Sequence, residues 1–214
     1  MLGAGGHAKV MLALVEAAGL SVRGVCDPAL AAAGTAAWRG IPVLGDDKAL
    51  ADFDPGEFGL INGVGQLARP GARHQLFERL RGMGFTFPAL IHPTAWVAPT
   101  TQLEQGVQIM AGVVVQPDCL IGENTIINTR ASIDHDCRIG RQAHIAPSAT
   151  LCGGAKVGDH AFIGSGATLI QEVNVGAYAV VGAGVTLVRD LPAHARVLGA
   201  PARFSISSSN EQAD

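Results

Sequence analysis

The sequence predicts two domains of different fold class, a small α/β domain over residues 1–88 and an all-β parallel β-helix over residues 89–203. In the second half, aliphatic residues recur at every sixth position. Helices repeat near 3.6 residues and half-buried strands near 2, so this period requires short strands separated by regular turns. The first half instead alternates apolar runs with helix-period segments, which is typical of a parallel sheet flanked by helices. Residues 204–214, rich in Ser, are expected to form a flexible tail.

The α/β domain opens on a glycine-rich turn between a short apolar start and a helix. Leu2 leads into Gly3-Ala4-Gly5-Gly6-His7-Ala8, and the apolar residues that follow keep helical spacing until Gly19. Further strands are predicted at residues 22–27, 41–44 and 58–62, and a basic amphipathic helix between residues 70 and 82. Residues 85–91 carry the chain into the second domain.

The repeat defines the second domain. Every sixth residue from Ile91 to Leu187 is Ile, Leu or Val, and the residue two positions earlier is always small or β-branched. Three such strands make one triangular coil, and about five and a half coils stacked roughly 4.8 Å apart pair each strand with those above and below. Glycines follow many of the aliphatic positions, and we expect them to supply positive φ angles at the corners. They are Gly122, Gly140, Gly158, Gly164, Gly176 and Gly182.

Composition excludes several function classes. A net charge of -3 with 15% charged residues argues against a nucleic-acid partner, which would need a clustered basic surface. A mean hydropathy of +0.30 excludes a disordered chain, yet no apolar run approaches the ~18 residues of a membrane span, so we expect no membrane insertion. The four cysteines form no C-x-x-C pair and follow no secretory signal, which favours a cytoplasmic protein.

The glycine-rich turn is the first candidate binding site. Gly3, Gly5 and Ala8 satisfy the G-x-G-x-x-[GA] pattern, and Asp27 follows about twenty residues later, as in dinucleotide-binding proteins. The α/β domain is too short for a second mononucleotide half, so we expect one nucleotide. Its phosphates would meet main-chain N–H groups at the helix start. A tight turn without a ligand is the alternative.

The segment around His135 is the sharpest candidate site. Ile133 and Cys137 occupy inward positions of the repeat, which places His135 and Asp136 on the outer surface or at a corner. Gly153 stands one coil further on and is expected to leave open space beside the imidazole. A carboxylate next to a histidine fixes its tautomer and raises its basicity, as a general base near neutral pH requires. A solvated surface histidine is the alternative.

The spacing of the histidines and cysteines in the repeat bears on metal binding and packing. The wide spacing of His135, His144 and His160 argues against a metal site. Cys119 and Cys137 lie on inward positions and are interpreted as small apolar fillers.

Two glycine-flanked tripeptides eighteen residues apart are expected to stack into a groove for an extended ligand. They are Gly164-Ser165-Gly166 and Gly182-Ala183-Gly184. Near the C-terminus, Gly199-Ala200-Pro201-Ala202-Arg203 places a cation where it meets an anionic ligand or caps the β-helix.

These motifs together resemble the hexapeptide-repeat sugar acetyltransferases typified by bacillosamine and perosamine N-acetyltransferases and by sialic acid O-acetyltransferase. The resemblance rests on the six-residue ladder, the Gly3–Ala8 turn, the segment Ile133-Asp134-His135-Asp136-Cys137 and the closing G-A-P-A-R. It implies a Rossmann-like first domain that binds a nucleotide sugar and a left-handed β-helix. It also implies acetyl-CoA as co-substrate, no metal, and a homotrimer with active sites between subunits.

The resemblance also implies roles for individual residues. His135 would be the general base and Asp136 would raise its basicity. Acetyl-CoA would contact His144 and the main chain at Ser165 and Ala183, with Arg203 assigned to the same ligand, and Asn128 would lie near the acceptor amine. The implied nucleotide-sugar contacts are Gly5, Gly6, His7, Asp27, Pro28, Gly65 and Arg73.

The expected reaction is acetyl transfer from acetyl-CoA to the amino group of a nucleotide-linked amino dideoxy sugar for surface glycan or O-antigen biosynthesis. The amine would attack the thioester directly, without an acyl-enzyme. The same histidine serves the alternative, O-acetylation of sialic acid or a related sugar hydroxyl. A zinc-dependent hydratase and a non-catalytic scaffold are the rivals from other classes.

Overall fold

The computed structural model describes residues 1–66, 68 and 71–200. The predicted tail and the Arg203 assignment therefore lie outside the described residues. Within them, no helix combines the length and the apolar character needed to cross a bilayer.

The first domain contains three α-helices, a short 3₁₀ helix and a small sheet. Two of the helices match the predicted ones. The bounds are α1 Gly6–Ala17, β1 Val25–Cys26, α2 Pro28–Ala32, β2 Ala37–Trp38, β3 Ile41–Gly45, the 3₁₀ helix Asp47–Asp52, and α3 Ala72–Gly82. The predicted strand at residues 58–62 is reduced to one parallel bridge between Asn62 and Leu2, which also bridges Cys26 on its other side. Leu2 thus takes the central position of a first strand.

The sheet is parallel at its centre, as predicted, but it ends in an antiparallel hairpin that the sequence analysis missed. β1 and β3 pair in parallel, whereas β2 and β3 pair antiparallel. Arg39 and Gly40 join β2 to β3 with φ angles of 50° and 79°. Two successive positive φ angles are the requirement of a type I′ turn, which explains the tight reversal.

The second domain is a parallel β-helix of two-residue strands. Each strand pairs in parallel with the strand eighteen residues away, for example Ile127 with Ile145, and only the last coil is shorter. The strands are β4 Leu90–Ile91, β5 Trp96–Val97, β6 Gln102–Leu103, β7 Gln108–Ile109, β8 Val114–Val115, β9 Leu120–Ile121, β10 Ile126–Ile127, β11 Ser132–Ile133, β12 Arg138–Ile139, β13 His144–Ile145, β14 Thr150–Leu151, β15 Lys156–Val157, β16 Phe162–Ile163, β17 Thr168–Leu169, β18 Asn174–Val175, β19 Val180–Val181, β20 Thr186–Leu187 and β21 Arg196–Val197.

Three sheets form the walls of the β-helix. We call them the first wall (β4, β7, β10, β13, β16, β19, β21), the second wall (β5, β8, β11, β14, β17, β20) and the third wall (β6, β9, β12, β15, β18). The aliphatic ladder fills the interior and is fully buried from Ile109 through Leu169. Most outward side chains of the first wall are buried too, with Gln108 and His144 only 2% and 8% exposed, whereas Arg196 in the last strand is exposed. The first domain covers that wall.

The expectation for the six corner glycines is wrong. None of them has a positive φ; that angle falls three residues before each aliphatic position of the repeat from Ile109 to Leu187, at residues such as Asp136 (φ 60°) and His160 (φ 58°). A Cβ at Gly158 would lie 2.5 Å from the amide nitrogen of Ala177, and one at Gly164 would lie 2.5 Å from that of Ala183. Glycine is required there because the backbone of the next coil approaches too closely for any side chain.

Candidate active site

His135 and Asp136 lie at the corner between β11 and β12, where the sequence places them. The left-handed φ of Asp136 turns the chain and directs both side chains outward, with exposed fractions of 60% for His135 and 66% for Asp136. The Nδ1 of His135 is 2.7 Å from Oδ2 of Asp136. Because an ionised carboxylate only accepts, Nδ1 carries the proton and Nε2 of the neutral ring keeps its lone pair. That lone pair is what a general base uses.

The charges of the turn tune this imidazole. The hydrogen bond that His135 donates to Asp136 is the main cause that raises the pKa of His135 above its ordinary value, followed by the negative charge of Asp134. Asp134 also accepts a hydrogen bond from the His135 amide at 2.9 Å, which fixes the turn. A histidine with a raised pKa is a stronger base once it has lost its proton.

Gly153 lies directly beneath the imidazole. A Cβ there would come within 2.7 Å of Cε1 and 2.8 Å of Nε2 of His135. The space that the sequence analysis expected to be open beside the ring is therefore occupied by the ring itself. The surrounding depression is lined by Asp134, His135, Asp136, Cys152, Gly153, Gly154, Gln171 and Glu172.

The two inward cysteines support this corner and are more than fillers. The thiol of Cys119 donates to the carbonyl of Asp134 at 3.1 Å, and that of Cys137 donates to the carbonyl of Cys152 at 3.4 Å. Thr125 makes the same contact to the carbonyl fifteen residues ahead, at 2.8 Å. This position of the repeat thus favours a small donor that holds the corner of the next coil.

The glycine-rich turn leaves the start of α1 open. A Cβ at Gly5 or Gly6 would meet nothing within 4 Å, whereas Gly3 needs its φ of 81° to make the turn. Main-chain N–H groups at a helix start attract phosphate. Asp27 holds the turn because its Oδ2 accepts from the Ala4 amide at 2.9 Å. Its Oδ1 caps α2, which begins at Pro28.

His7 lies between this turn and the first wall. Its Nε2 donates to Oε1 of Gln108 at 2.8 Å, because the amide nitrogen of Gln108 donates to the Asn62 carbonyl. Burial lowers the pKa of His7 to about 4, so the ring is neutral at physiological pH. Gly65 packs against His7, where an added Cβ would lie 3.4 Å from the His7 Cβ. The structure therefore brings these two predicted residues together.

Arg73 lies buried in the junction between the first domain and the β-helix. It is only 3% exposed, and its terminal nitrogens donate to the carbonyls of Asn62 (2.9 Å), Val64 (2.9 Å) and Asn124 (3.2 Å). This guanidinium supports the segment that carries Gly65 and ties it to the β-helix. Direct contact with a nucleotide sugar stays a prediction.

His144 and Asn128 form the second polar pair of the site. Nδ1 of His144 donates to the main-chain carbonyl of Gln66 at 3.1 Å, and its Nε2 accepts from the Asn128 amide at 3.3 Å. Burial lowers the pKa of His144 to about 4. Its neutral ring therefore has a defined tautomer.

The two glycine-flanked tripeptides stack as predicted. The amide of Gly184 donates to the Ser165 carbonyl at 2.9 Å, and both Ser165 and Ala183 are exposed. They lie at the corner between the first and second walls, and Asn128 lies at the same corner of a preceding coil.

In the described part of the chain, no group of three or more His, Cys, Asp and Glu side chains is arranged to hold a metal ion.

The polar residues of the domain junction were not predicted from the sequence as a group. Asn62, Asn124 and Gln108 are buried and joined to one another or to Arg73 by hydrogen bonds. Gln108 occupies an outward position of the repeat, where a polar residue normally faces solvent. Gln108 could be predicted as a buried junction residue only if it were known that the first domain covers this wall.

Two family models match the chain. The model described as bacterial transferase hexapeptide (six repeats) matches residues 100–135, 118–153 and 136–171, and the PglD N-terminal domain model matches residues 1–80. A search of the curated proteins finds no match.

Solved structures are similar over nearly the whole chain. One is a mutant of perosamine N-acetyltransferase from Caulobacter crescentus in complex with CoA and GDP-perosamine, with 41% identity, 95% of this chain and 94% of that chain covered, and a TM-score of 0.84. Another is the acetyltransferase domain of PglB from Neisseria gonorrhoeae in complex with acetyl coenzyme A, with 34% identity, coverage of 94% and 96%, and a TM-score of 0.84. These matches confirm the fold class, including the left-handed β-helix.

Proposed function

Because this chain belongs to the hexapeptide-repeat sugar acetyltransferases with a PglD-type N-terminal domain and uses acetyl-CoA, we propose that its acceptor is the amino group of a nucleotide-linked amino sugar. The observation that carries the proposal is the His135–Asp136 pair, whose free Nε2 faces an acidic depression. The similar perosamine enzyme binds CoA and GDP-perosamine, which supports the same substrate class here.

In the proposed reaction, His135 acts as a general base. Its Nε2 takes a proton from the amine as the amine nitrogen attacks the thioester carbonyl carbon. The new C–N bond forms, the C–S bond breaks, and the proton held by His135 passes to the leaving thiolate of CoA. A positioned base of this kind contributes about 10²- to 10⁴-fold in rate. No acyl-enzyme is needed, because the amine is itself the nucleophile.

The charge of the depression favours an amine over a sialic acid. Three carboxylates, those of Asp134, Asp136 and Glu172, line it, and Lys and Arg are absent from its lining residues in the described chain. An ammonium group is attracted to such a surface, whereas the carboxylate of a sialic acid is repelled. O-acetylation is therefore the weaker of the two candidate reactions.

We place the nucleotide at the start of α1. The open main chain at Gly5 and Gly6 suits a phosphate, and Asp27 holds the turn in shape. Acetyl-CoA would lie along Ser165 and Ala183, next to His144 and Asn128.

All four cysteines lie among the described residues and are free thiols, which is consistent with the cytoplasm as the compartment.

We further propose a homotrimer in which the second walls of three chains face one another. The first wall is covered by the chain's own first domain, and the third wall carries the exposed cations Arg138 and Lys156. The outward row of the second wall is uncharged: Trp96, Val114, Ser132, Thr150, Thr168 and Thr186. His135 lies along one edge of this wall and Asn128 along the other. Packing second walls together would bring His135 of one chain to the acetyl-CoA residues of another.

A substrate panel tests the proposed function. The enzyme would be incubated with acetyl-CoA and, in turn, GDP-perosamine, UDP- and dTDP-linked 4-amino sugars, free sialic acid and CMP-sialic acid, with CoA release and product mass recorded. We expect turnover of an amino sugar and none of its 4-hydroxy analogue. Turnover of a sialic acid alone would reject N-acetylation in favour of O-acetylation. Failure of every acceptor, in a protein that CoA stabilises against heat, would reject the acceptor class.

A further inference from the structure

Gln66 joins the first domain to the β-helix at the edge of the site. Its side-chain nitrogen donates to the main-chain carbonyl of Gln142, which lies at the corner before β13. Its own main-chain carbonyl accepts from Nδ1 of His144. One residue of the first domain thus contacts the β-helix twice, once at Gln142 and once at His144 itself.

The second contact decides the tautomer of His144. A carbonyl oxygen only accepts, so Nδ1 must carry the proton when it faces Gln66. The unprotonated Nε2 is then left to face the Asn128 amide, which can donate to it at 3.3 Å. Asn128 is held in the matching orientation because its Oδ1 accepts from the Thr129 amide at 2.8 Å. Without the Gln66 carbonyl, only the longer contact from the Asn128 amide, at 3.3 Å, would hold the proton on Nδ1.

The same segment reaches the glycine-rich turn at its other end. Asn62 lies beside Leu2, its carbonyl accepts from Gln108, and its Oδ1 accepts from the Val64 amide at 3.3 Å. Gln108 in turn holds His7. Residues 62–66, which we call the junction segment, therefore contact both the turn assigned to the nucleotide and the histidine assigned to acetyl-CoA.

We propose that Gln66 is a positioning residue that couples the nucleotide-sugar side of the site to the acetyl-CoA side. Its side chain anchors the junction segment to the β-helix, and its carbonyl fixes the ring of His144. A nucleotide sugar that contacts Gly65 orders the neighbouring Gln66 carbonyl, which orients His144. Binding of the nucleotide sugar therefore favours binding of acetyl-CoA, and the reverse. The coupling between the two substrates rests on the proposed function, whereas the tautomer of His144 follows from its hydrogen bonds alone.

The test uses full-length protein with Gln66→Ala and Gln66→Glu. The first variant removes the anchor, and the second keeps its size but turns a donor into an acceptor that faces the Gln142 carbonyl. Gln102→Ala is the matched control, since Gln102 is an exposed glutamine on the third wall, away from the site. Circular dichroism and thermal melts would establish that all four proteins are folded.

The first readout is the ring nitrogen NMR spectrum of His144 in ligand-free protein, assigned with His144→Asn. We expect the Nδ1–H form in wild type and in the control, and a mixture of tautomers in both Gln66 variants. An unchanged Nδ1–H signal in folded Gln66 variants would overturn the positioning role. Since no substrate is present, this result stands whether or not the acceptor has been identified correctly.

The second readout is the dissociation constant of CoA with and without saturating GDP-perosamine. We expect the sugar nucleotide to tighten CoA binding about 5-fold or more in wild type and to change it less than 2-fold in the Gln66 variants. Equal coupling in all four proteins would show that Gln66 does not transmit it. If GDP-perosamine does not bind, the titration uses the sugar nucleotide that the substrate panel identifies, and the tautomer measurement decides the positioning role of Gln66 independently of it.

Discussion

At the scale of single residues, the chemistry of the site is set by two histidines in opposite surroundings. His135 is exposed and paired with a carboxylate, which raises its pKa, whereas His144 is buried and has a pKa of about 4. Only the first can exchange a proton near neutral pH. The pairing of His135 with Asp136 could be predicted because the two are adjacent in sequence. The tautomer of His144 could not, because it depends on a carbonyl 78 residues away.

Replacing Asp136 by Asn should move the acidic limb of the pH–rate profile. The Asp136 carboxylate is the main cause of the raised pKa of His135, so its loss lowers that pKa and shifts the limb of kcat/KM to lower pH. The plateau rate should fall because the base is weaker. An acidic limb at the wild-type position would show that Asp136 does not act on His135.

Replacing Gly153 by Ala should displace the imidazole without unfolding the protein. The added Cβ would lie within 2.7 Å of the His135 ring, which is exposed and therefore can rotate away. We expect kcat to fall at least 10-fold with a nearly unchanged Tm, since misplacing a catalytic group is costly in rate. Gly82→Ala, where a Cβ meets nothing within 4 Å, is the control and should keep full activity.

At the scale of elements, the six-residue period predicted every strand of the β-helix from 91 to 187, because each aliphatic side chain must face the interior. The same period did not reveal why glycine follows the ladder position. The reason is the close approach of the next coil, whose backbone would lie 2.5 Å from a Cβ at Gly158. This distance depends on how two coils stack, so the pattern within one coil does not predict it. The chain turns each corner instead at residues with a positive φ, such as Asn124 and Asp136.

Two glycine substitutions should separate these requirements. Gly158→Ala forces a Cβ against the main chain and should destabilise the protein by about 1–3 kcal/mol, as overpacking does. Gly166→Asn should cost much less, because its φ of 65° suits Asn and its surroundings are open. Thermal melts at one protein concentration measure both. A larger loss for Gly166→Asn would contradict the close-approach explanation.

At the scale of the whole molecule, the first domain and the β-helix are joined by buried polar groups rather than by an apolar interface alone. His7 and Gln108 are 101 residues apart, and Arg73 and Asn124 are 51 apart. Sequence spacing cannot pair such residues, because the two members of each pair belong to different domains. The two domains were therefore predictable, and their junction was not.

The junction should make stability depend on pH. The pKa of His7 is about 4 in the folded protein and about 6.5 in the unfolded chain, so unfolding takes up a proton below pH 6.5. The contribution of neutral His7 to the free energy of unfolding is therefore fully present above pH 6.5 and is lost as the pH falls towards 4. We expect the Tm to drop between pH 7 and pH 5, and to drop less in His7→Gln. Equal drops in both proteins would contradict the burial of a neutral His7.

The proposed trimer predicts that a charge on the second wall disrupts assembly. Thr150→Lys places a cation in the uncharged row and should shift the protein from trimer to monomer in sedimentation velocity, with loss of activity. Gln102→Lys adds the same charge to an exposed position of the third wall and should stay trimeric. A trimeric Thr150→Lys protein would mean that another face mediates assembly.

Comparing wild type with His135→Ala tests most directly whether this imidazole is the base. With an accepted amino-sugar nucleotide and saturating acetyl-CoA, we predict that kcat falls about 10²- to 10⁴-fold while the dissociation constant of CoA changes less than 3-fold. His92→Ala, another surface histidine, should behave as wild type. A His135→Ala enzyme within a few-fold of the wild-type kcat would show that the proton leaves by another route.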